Sequence, residues 1–251
     1  MPYEANRFVE TSGRTFAIVE RLSRADRLGV STLASDLDIS KGIVHNHLST
    51  LRELGYVRKV DGVYELSPKL LAVGLRARTH SQVYRVSSGL LGDFADRFDT
   101  GVLLFQHAGD HCSVLDAHRV PRTADVGGGT SFSLDESLVG AAILALGDRD
   151  PEGVGGAPGP DLETLAARIQ ESGYVTGPLF AEGAQRCAVV PILGGSDDLH
   201  GCVCVLLPAD DDVVERITEA LPSLRERIEN RLSAEWSRER SFATEKHSWV
   251  G

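Results

Sequence analysis

Between residues 12 and 66 the apolar positions keep a helical period three times and then switch to short runs. In GRTFAIVERLS, the spacing of Phe16, Val19 and Leu22 predicts a first helix, closed by Gly29. In STLASDL, Ser31 stands where a cap belongs, and Leu33 and Leu37 fall on the inward side of a short second helix. Asp38 and Ile39 turn the chain. Ser40 then caps a third helix in which Val44, Leu48 and Leu51 recur at i, i+4 and i+7, and Gly55 stops it. YVRKV and VYEL follow as β-prone runs around Asp61-Gly62, a two-residue hairpin signal. Three helices and a hairpin in this order predict a winged helix-turn-helix.

Ser67-Pro68 reads as a cap and first-turn proline opening a helix through KLLAVGLRAR. A second helical segment, SQVYRVSSGLLGDFADRF, runs to Phe98. Then the period changes. GVLLFQHAG and HCSVLDAHRV are β-rich, and SFSLDESLVGAAILALG begins extended and turns helical near Leu138. Residues 148–160, DRDPEGVGGAPGP, read as an exposed loop. DLETLAARIQESGY predicts a capped helix closed by Gly173, and RCAVVPIL and LHGCVCVLLP predict apolar strands. In the last helix Val214, Ile217, Leu221, Leu224 and Ile228 share a seam, Pro222 is expected to kink it, and a polar tail from Ala234 is expected to fray. Helices flanking an antiparallel sheet make an α+β fold. The expected division is 1–67 for the winged helix-turn-helix, 68–98 for a linker helical segment, 99–232 for the second domain and 233–251 for the tail.

Charge sharpens this division. The net charge is −10, yet residues 1–66 hold 9 basic and 9 acidic residues, so the remainder carries the whole excess of acid. A neutral end beside an acidic one is what a DNA-binding end requires. Only four of the 26 basic residues are lysine, a composition resembling proteins that work in molar salt. There the Debye length falls to about 3 Å. No apolar run approaches a membrane span and the N-terminus lacks a signal-peptide pattern, so a cytoplasmic protein without membrane contact is expected. The four cysteines are too few and too scattered for a disulfide framework and read as free thiols.

The third helix carries the chemistry. Its outward residues are Lys41, Gly42, His45, Asn46, Ser49 and Arg52, following Ser40. A helix fits the major groove of double-stranded DNA, where Asn46 suits adenine and His45 and Ser49 suit base edges. Gly42 permits close backbone approach. Lys41 and Arg52 suit phosphates, Arg58 and Lys59 of the wing reach adjacent phosphates or the minor groove, and Arg14 of the first helix joins this set.

With these elements in order, the chain resembles regulators of the IclR family over residues 12–232. The resemblance rests on GRTFAIVERL, LASDLDISKGIVHNHLSTLRELGYV and VYELSPKLLAVG, and further on SLVGAAILA, ESGYV, CAVVPIL and GCVCVLLP. It implies a linker helix, a GAF-like effector-binding domain, a homodimer that can assemble into a tetramer, a palindromic operator and a small-molecule effector. It also implies an effector pocket at Phe132, Ser133, Leu134, Ser137 and Gly140, completed by Cys187, Pro191 and Cys204 from the late strands. The chain departs from the family at Asp135 and Ala141, where histidine and lysine are usual, and its late positions are apolar or thiol. A neutral or apolar effector is therefore at least as well suited as a small anion.

Rival chemistries have less behind them. His200, Cys202 and Cys204 alternate along one strand and are expected to share a face, which would suit a metal- or redox-responsive regulator. The spacing matches no zinc pattern, however, and the metal expectation is none. No nucleophile elbow, phosphate-cradling loop or HExxH motif is present, so neither catalysis nor a cofactor is expected. The alternative expectation is a second domain that serves only protein interaction or oligomerisation.

Overall fold

The computed structural model describes residues 7–124, 126–147, 161–181, 183–195 and 198–247. The loop expected at 148–160 lies outside them. The chain divides into two compact units, the first ending at Arg78 and the second starting at Thr79.

The first unit contains α1 (Glu10–Ser23), α2 (Val30–Asp36), α3 (Lys41–Glu53), the hairpin β1 (Val57–Val60) and β2 (Val63–Leu66), and most of α4 (Lys69–His80). Its core joins Ile18 and Leu22 of α1, Leu33 of α2, Val44, Leu48 and Leu51 of α3, and Val57 and Tyr64 of the hairpin. Two expectations need correction. Phe16 is 66% exposed and Ile18 faces inward in its place. At about 100° per residue, Ile18 lies on the side of Leu22 while Phe16 lies well round from it. Gly29, not Ser31, stands at the cap of α2, since the first helical bond runs from Leu33 N to Gly29 O (3.1 Å). Gly29 thus opens α2, while α1 has already ended at Ser23.

The hairpin turn places Asp61 (φ 51°) and Gly62 (φ 88°) consecutively in the left-handed region, the conformation that a two-residue turn between twisted strands demands. Leu28 pairs with Tyr64 through both backbone bonds (3.0 and 2.8 Å), fixing β2 to the α1–α2 connection. The α4 helix is capped by Ser67, whose Oγ accepts from Lys69 N (3.3 Å), and it buries none of its residues.

The second unit begins with α5 (Gln82–Phe98), capped by Ser81. It continues through β3 (Val102–Ala108), β4 (His111–His118), β5 (Ser131–Ser133), α6 (Leu138–Leu146), α7 (Leu162–Ser172), β6 (Val175–Pro178), β7 (Arg186–Leu193), β8 (Leu199–Leu206) and α8 (Asp211–His247). All strand pairs are antiparallel, in the order β5-β4-β3-β8-β7-β6. Both faces of this sheet are covered, which is why its central strands are continuously apolar rather than alternating. Leu103, Phe105, Val189 and Cys202 pack toward α6 and α7. Val102, Leu104, Val190 and Val203 pack toward α5 and α8. The short β6, containing Gly177 and Pro178, gave no strand signal in the sequence.

The α8 helix passes through Pro222 without ending, and the segment from Ala234 is helical to His247 rather than frayed. Its first residues are anchored on α5. Trp236 Nε1 donates to Gln82 Oε1 (2.7 Å) and Arg85 binds Glu235 (2.7 Å).

Candidate nucleic-acid interface and ligand-binding face

Ser40 caps α3 through Ile43 N (3.3 Å), and the buried stripe of Val44, Leu48 and Leu51 fixes which side looks out. Lys41, Gly42, His45, Asn46, Ser49 and Arg52 are all exposed on it. Gly42 has room for a side chain: an added Cβ would meet nothing nearer than Ser40 Oγ at 3.9 Å. Packing therefore does not require glycine there. A glycine inside a helix costs about 0.5–1 kcal/mol against alanine, so its place on the outward side points to something approaching from outside.

Two contacts that were not apparent in the sequence position this helix. Thr15 Oγ1 donates to Thr11 O (2.9 Å), so its oxygen accepts from His47 Nδ1 (2.9 Å), tying α3 to α1. The signal was slight: His47 sits between Val44 and Leu48, on the edge of the inward stripe. Lys69 Nζ donates to Leu54 O (2.7 Å) and lies 4.5 Å from the Tyr56 ring centre. That places a cation from α4 at the negative end of α3. In the wing, Glu65 binds both Arg27 (2.8 Å) and Arg58 (2.7 Å), so Arg58 is held by an acid of its own unit. Lys59 stands over Tyr64 at 5.4 Å. Arg14 is half-buried and paired with Glu10 (3.1 Å).

In the second unit Phe132, Leu134, Ser137, Gly140, Cys187, Pro191 and Cys204 are buried and Ser133 is half-buried. Phe132 forms a ring cluster with Phe105 (5.6 Å between centroids) and Phe180 (5.3 Å). Several amides at and just before the start of α6 are already engaged. Ser133 N donates to Glu136 Oε2 (2.9 Å), Gly140 N to Ser137 Oγ (3.0 Å), and Leu138 N to Leu179 O (3.0 Å). A Cβ on Gly140 would lie 1.9 Å from Leu134 O, so this glycine is set by packing. A helix start that satisfies its own donors in this way offers an anion little.

His200 does not share a face with Cys202 and Cys204. The register of β7 and β8 shifts between Ile192 and Leu193, leaving His200 as the extra residue of a bulge. Its ring meets Trp236 of α8 edge-on at 6.1 Å, while both cysteines pack toward α6 and α7. All four cysteines are free and buried on that second side. Burial pushes the Cys112 thiol up to about 12 and raises that of Cys202. A hydrogen bond with Cys187, together with burial, raises that of Cys204. Thiols kept protonated and away from water do not attack oxidants or bind soft metals readily, which opposes the redox reading. Among the described residues no group of three or more His, Cys, Asp or Glu side chains could hold a metal.

A winged helix-turn-helix with an outward polar α3 defines a DNA-binding protein. The family model for the IclR helix-turn-helix domain matches residues 13–61. A probable HTH-type transcriptional regulator, ArcR, of Halobacterium salinarum is 23% identical over 76% of this chain and 80% of its own length. An IclR transcriptional regulator from Alicyclobacillus acidocaldarius has the same fold, with a TM-score of 0.73 at 17% identity over 90% of this chain and 100% of that one. An IclR homolog from Microbacterium hydrocarbonoxydans, solved with 4-hydroxybenzoate, gives 0.72 at 19% identity over 88% and 98%. Residues 13–61 thus match the IclR helix-turn-helix domain, and the chain as a whole is similar to DNA-binding transcriptional regulators of that family. Among the described residues no helix is long and apolar enough to cross a membrane.

Proposed function

We propose that α3 reads a palindromic operator as part of a homodimer, and that a small molecule received by the GAF-like second unit sets the affinity for that operator. The observation that carries the DNA reading is the outward row of α3 beside Gly42, a glycine the fold does not need. Asn46 and Ser49 read base edges, and Lys41, Arg52 and Lys59 hold phosphates. The dimer follows from α4, whose Leu71, Val73 and Leu75 are 64%, 52% and 40% exposed. A helix of 12 residues that buries nothing is marginal alone and calls for a partner surface.

The effector enters between the sheet and α6, among Phe105, Phe132 and Phe180. The satisfied amides of α6 and the apolar wall favour an aromatic body with little charge. That the Microbacterium homolog holds 4-hydroxybenzoate supports an aromatic class. The acid-rich, lysine-poor composition suits work at high salt, and the similarity to a Halobacterium regulator agrees with that.

Selection of bound sequences from a random pool, repeated with Asn46→Ala, tests the DNA reading. The variant should lose about 1–3 kcal/mol and relax preference at one base pair per half-site. An unchanged consensus would remove Asn46 from the base contacts. Thermal unfolding with a panel of aromatic compounds tests the effector. A ligand at 100 times its Kd adds about 2.7 kcal/mol, and Phe132→Ala should abolish that shift.

A further inference from the structure

On the side of the sheet away from the proposed effector face, α5 and α8 run antiparallel and leave a groove of about 320 Å³ between them. Its floor is apolar, formed by the buried Phe94 and Leu224. Arg97 comes from α5, and Arg216 and Arg227 come from α8. This is an unusual place for three positive charges, in the part of the chain that carries the whole net −10.

Several other arginines of the same unit have partners within it. Arg85 binds Glu235, Arg225 binds Glu229 (2.8 Å), and Arg231 donates to Val86 O (3.1 Å). The three in the groove make no hydrogen bond or ion pair with any described residue. Glu219 lines the same groove without bridging any of them, so two net positive charges remain. Arg97 is held against the ring of Phe98, 4.9 Å from its centre, which leaves its planar fork free to meet a carboxylate or phosphate. Gathering like charges beside an apolar floor raises the energy of the empty groove, and an anion would lower it.

We infer that this groove binds an organic dianion: two carboxylate or phosphate groups on a short apolar body. Arg216 and Arg227 are 11 residues apart, about 16 Å along the helix, so one small anion does not reach both. A molecule with charge at two ends meets Arg97 and Arg227 or Arg216 while its middle lies on Phe94 and Leu224. The inference stands independently of the effector reading, which concerns the opposite side of the sheet.

Calorimetric titration of the full chain tests it, with suberate, butyrate and the neutral diamide of suberic acid as probes at constant ionic strength set with KCl. Suberate should bind saturably and at least tenfold more tightly than butyrate, and the diamide should not bind. Arg216→Gln combined with Arg227→Gln should weaken suberate at least tenfold, while Arg122→Gln, outside the groove, should leave it unchanged. Pyrophosphate in the same titration separates phosphate from carboxylate preference. Circular dichroism establishes that the exposed arginine variants remain folded. If suberate binds no better than butyrate, or the double variant retains its affinity, the site does not exist. A double variant that changes only the oligomeric state by light scattering, with no anion binding in the parent, would make the groove a contact between copies and overturn the proposal equally. Operator binding measured alongside reports on the regulator reading separately.

Discussion

Two glycines, each on a helix, have opposite causes, and the difference shows how single residues divide between fold and function. Gly140 is bound by its surroundings: a methyl group would overlap the carbonyl of Leu134 at 1.9 Å. Gly140→Ala must push the turn before α6 away from the helix, at about 3 kcal/mol of stability in the second unit. Urea unfolding followed by tryptophan fluorescence reads this, since Trp236 belongs to that unit. Gly42 is free, and Gly42→Ala should stabilise the first unit by about 0.5–1 kcal/mol while weakening operator binding severalfold. A glycine whose replacement improves stability and harms binding marks a surface that meets a partner. If Gly42→Ala bound the operator as well as the parent, close backbone approach at this position would be wrong.

Whole elements were the most legible level, and their legibility followed from how local the signals are. The stripe of Val44, Leu48 and Leu51, the Ser40 cap and the Asp61-Gly62 turn are decided within a few residues, and the structure keeps all three. Where two neighbouring choices were nearly equal, tertiary contact decided. Ile18 displaced Phe16 from the core, and Gly29 displaced Ser31 from the cap. His200 left the face of Cys202 because a bulge, invisible to strict alternation, inserts one residue. The arginine groove joins residues more than a hundred positions apart and had no sequence signal at all. One element remains unexplained by its own chain. The α4 helix carries Leu71 and Leu75 one turn apart and buries neither. Leu71→Glu with Leu75→Glu should leave the first unit folded, shift the protein toward monomer in light scattering, and weaken operator binding at least tenfold. A variant that stays dimeric with full affinity would assign the dimer to another surface.

For the whole molecule, the decisive property is that charge is segregated along the chain. A net of −10 would repel DNA at low salt if it were spread evenly, but residues 1–66 are neutral and the acid lies beyond them. Few cations are free to neutralise phosphates. Arg58 is held by Glu65 and Arg14 by Glu10, while Lys41, Arg52 and Lys59 have no acid partner among the described residues. Three cations per unit give about six phosphate contacts in a dimer, and each contributes about −0.9 to the slope of log affinity against log salt. The expected slope is therefore about −5, and the rest of the affinity must come from Asn46, Ser49 and apolar fit. Fluorescence anisotropy on a bound operator from 0.1 to 1 M KCl gives the number directly. A slope near −10 would mean that Arg14 and Arg58 abandon their carboxylates for phosphate. A shallow slope would mean that recognition survives at salt concentrations where most electrostatic attraction has already gone, and would leave the polar row of α3 as its main source.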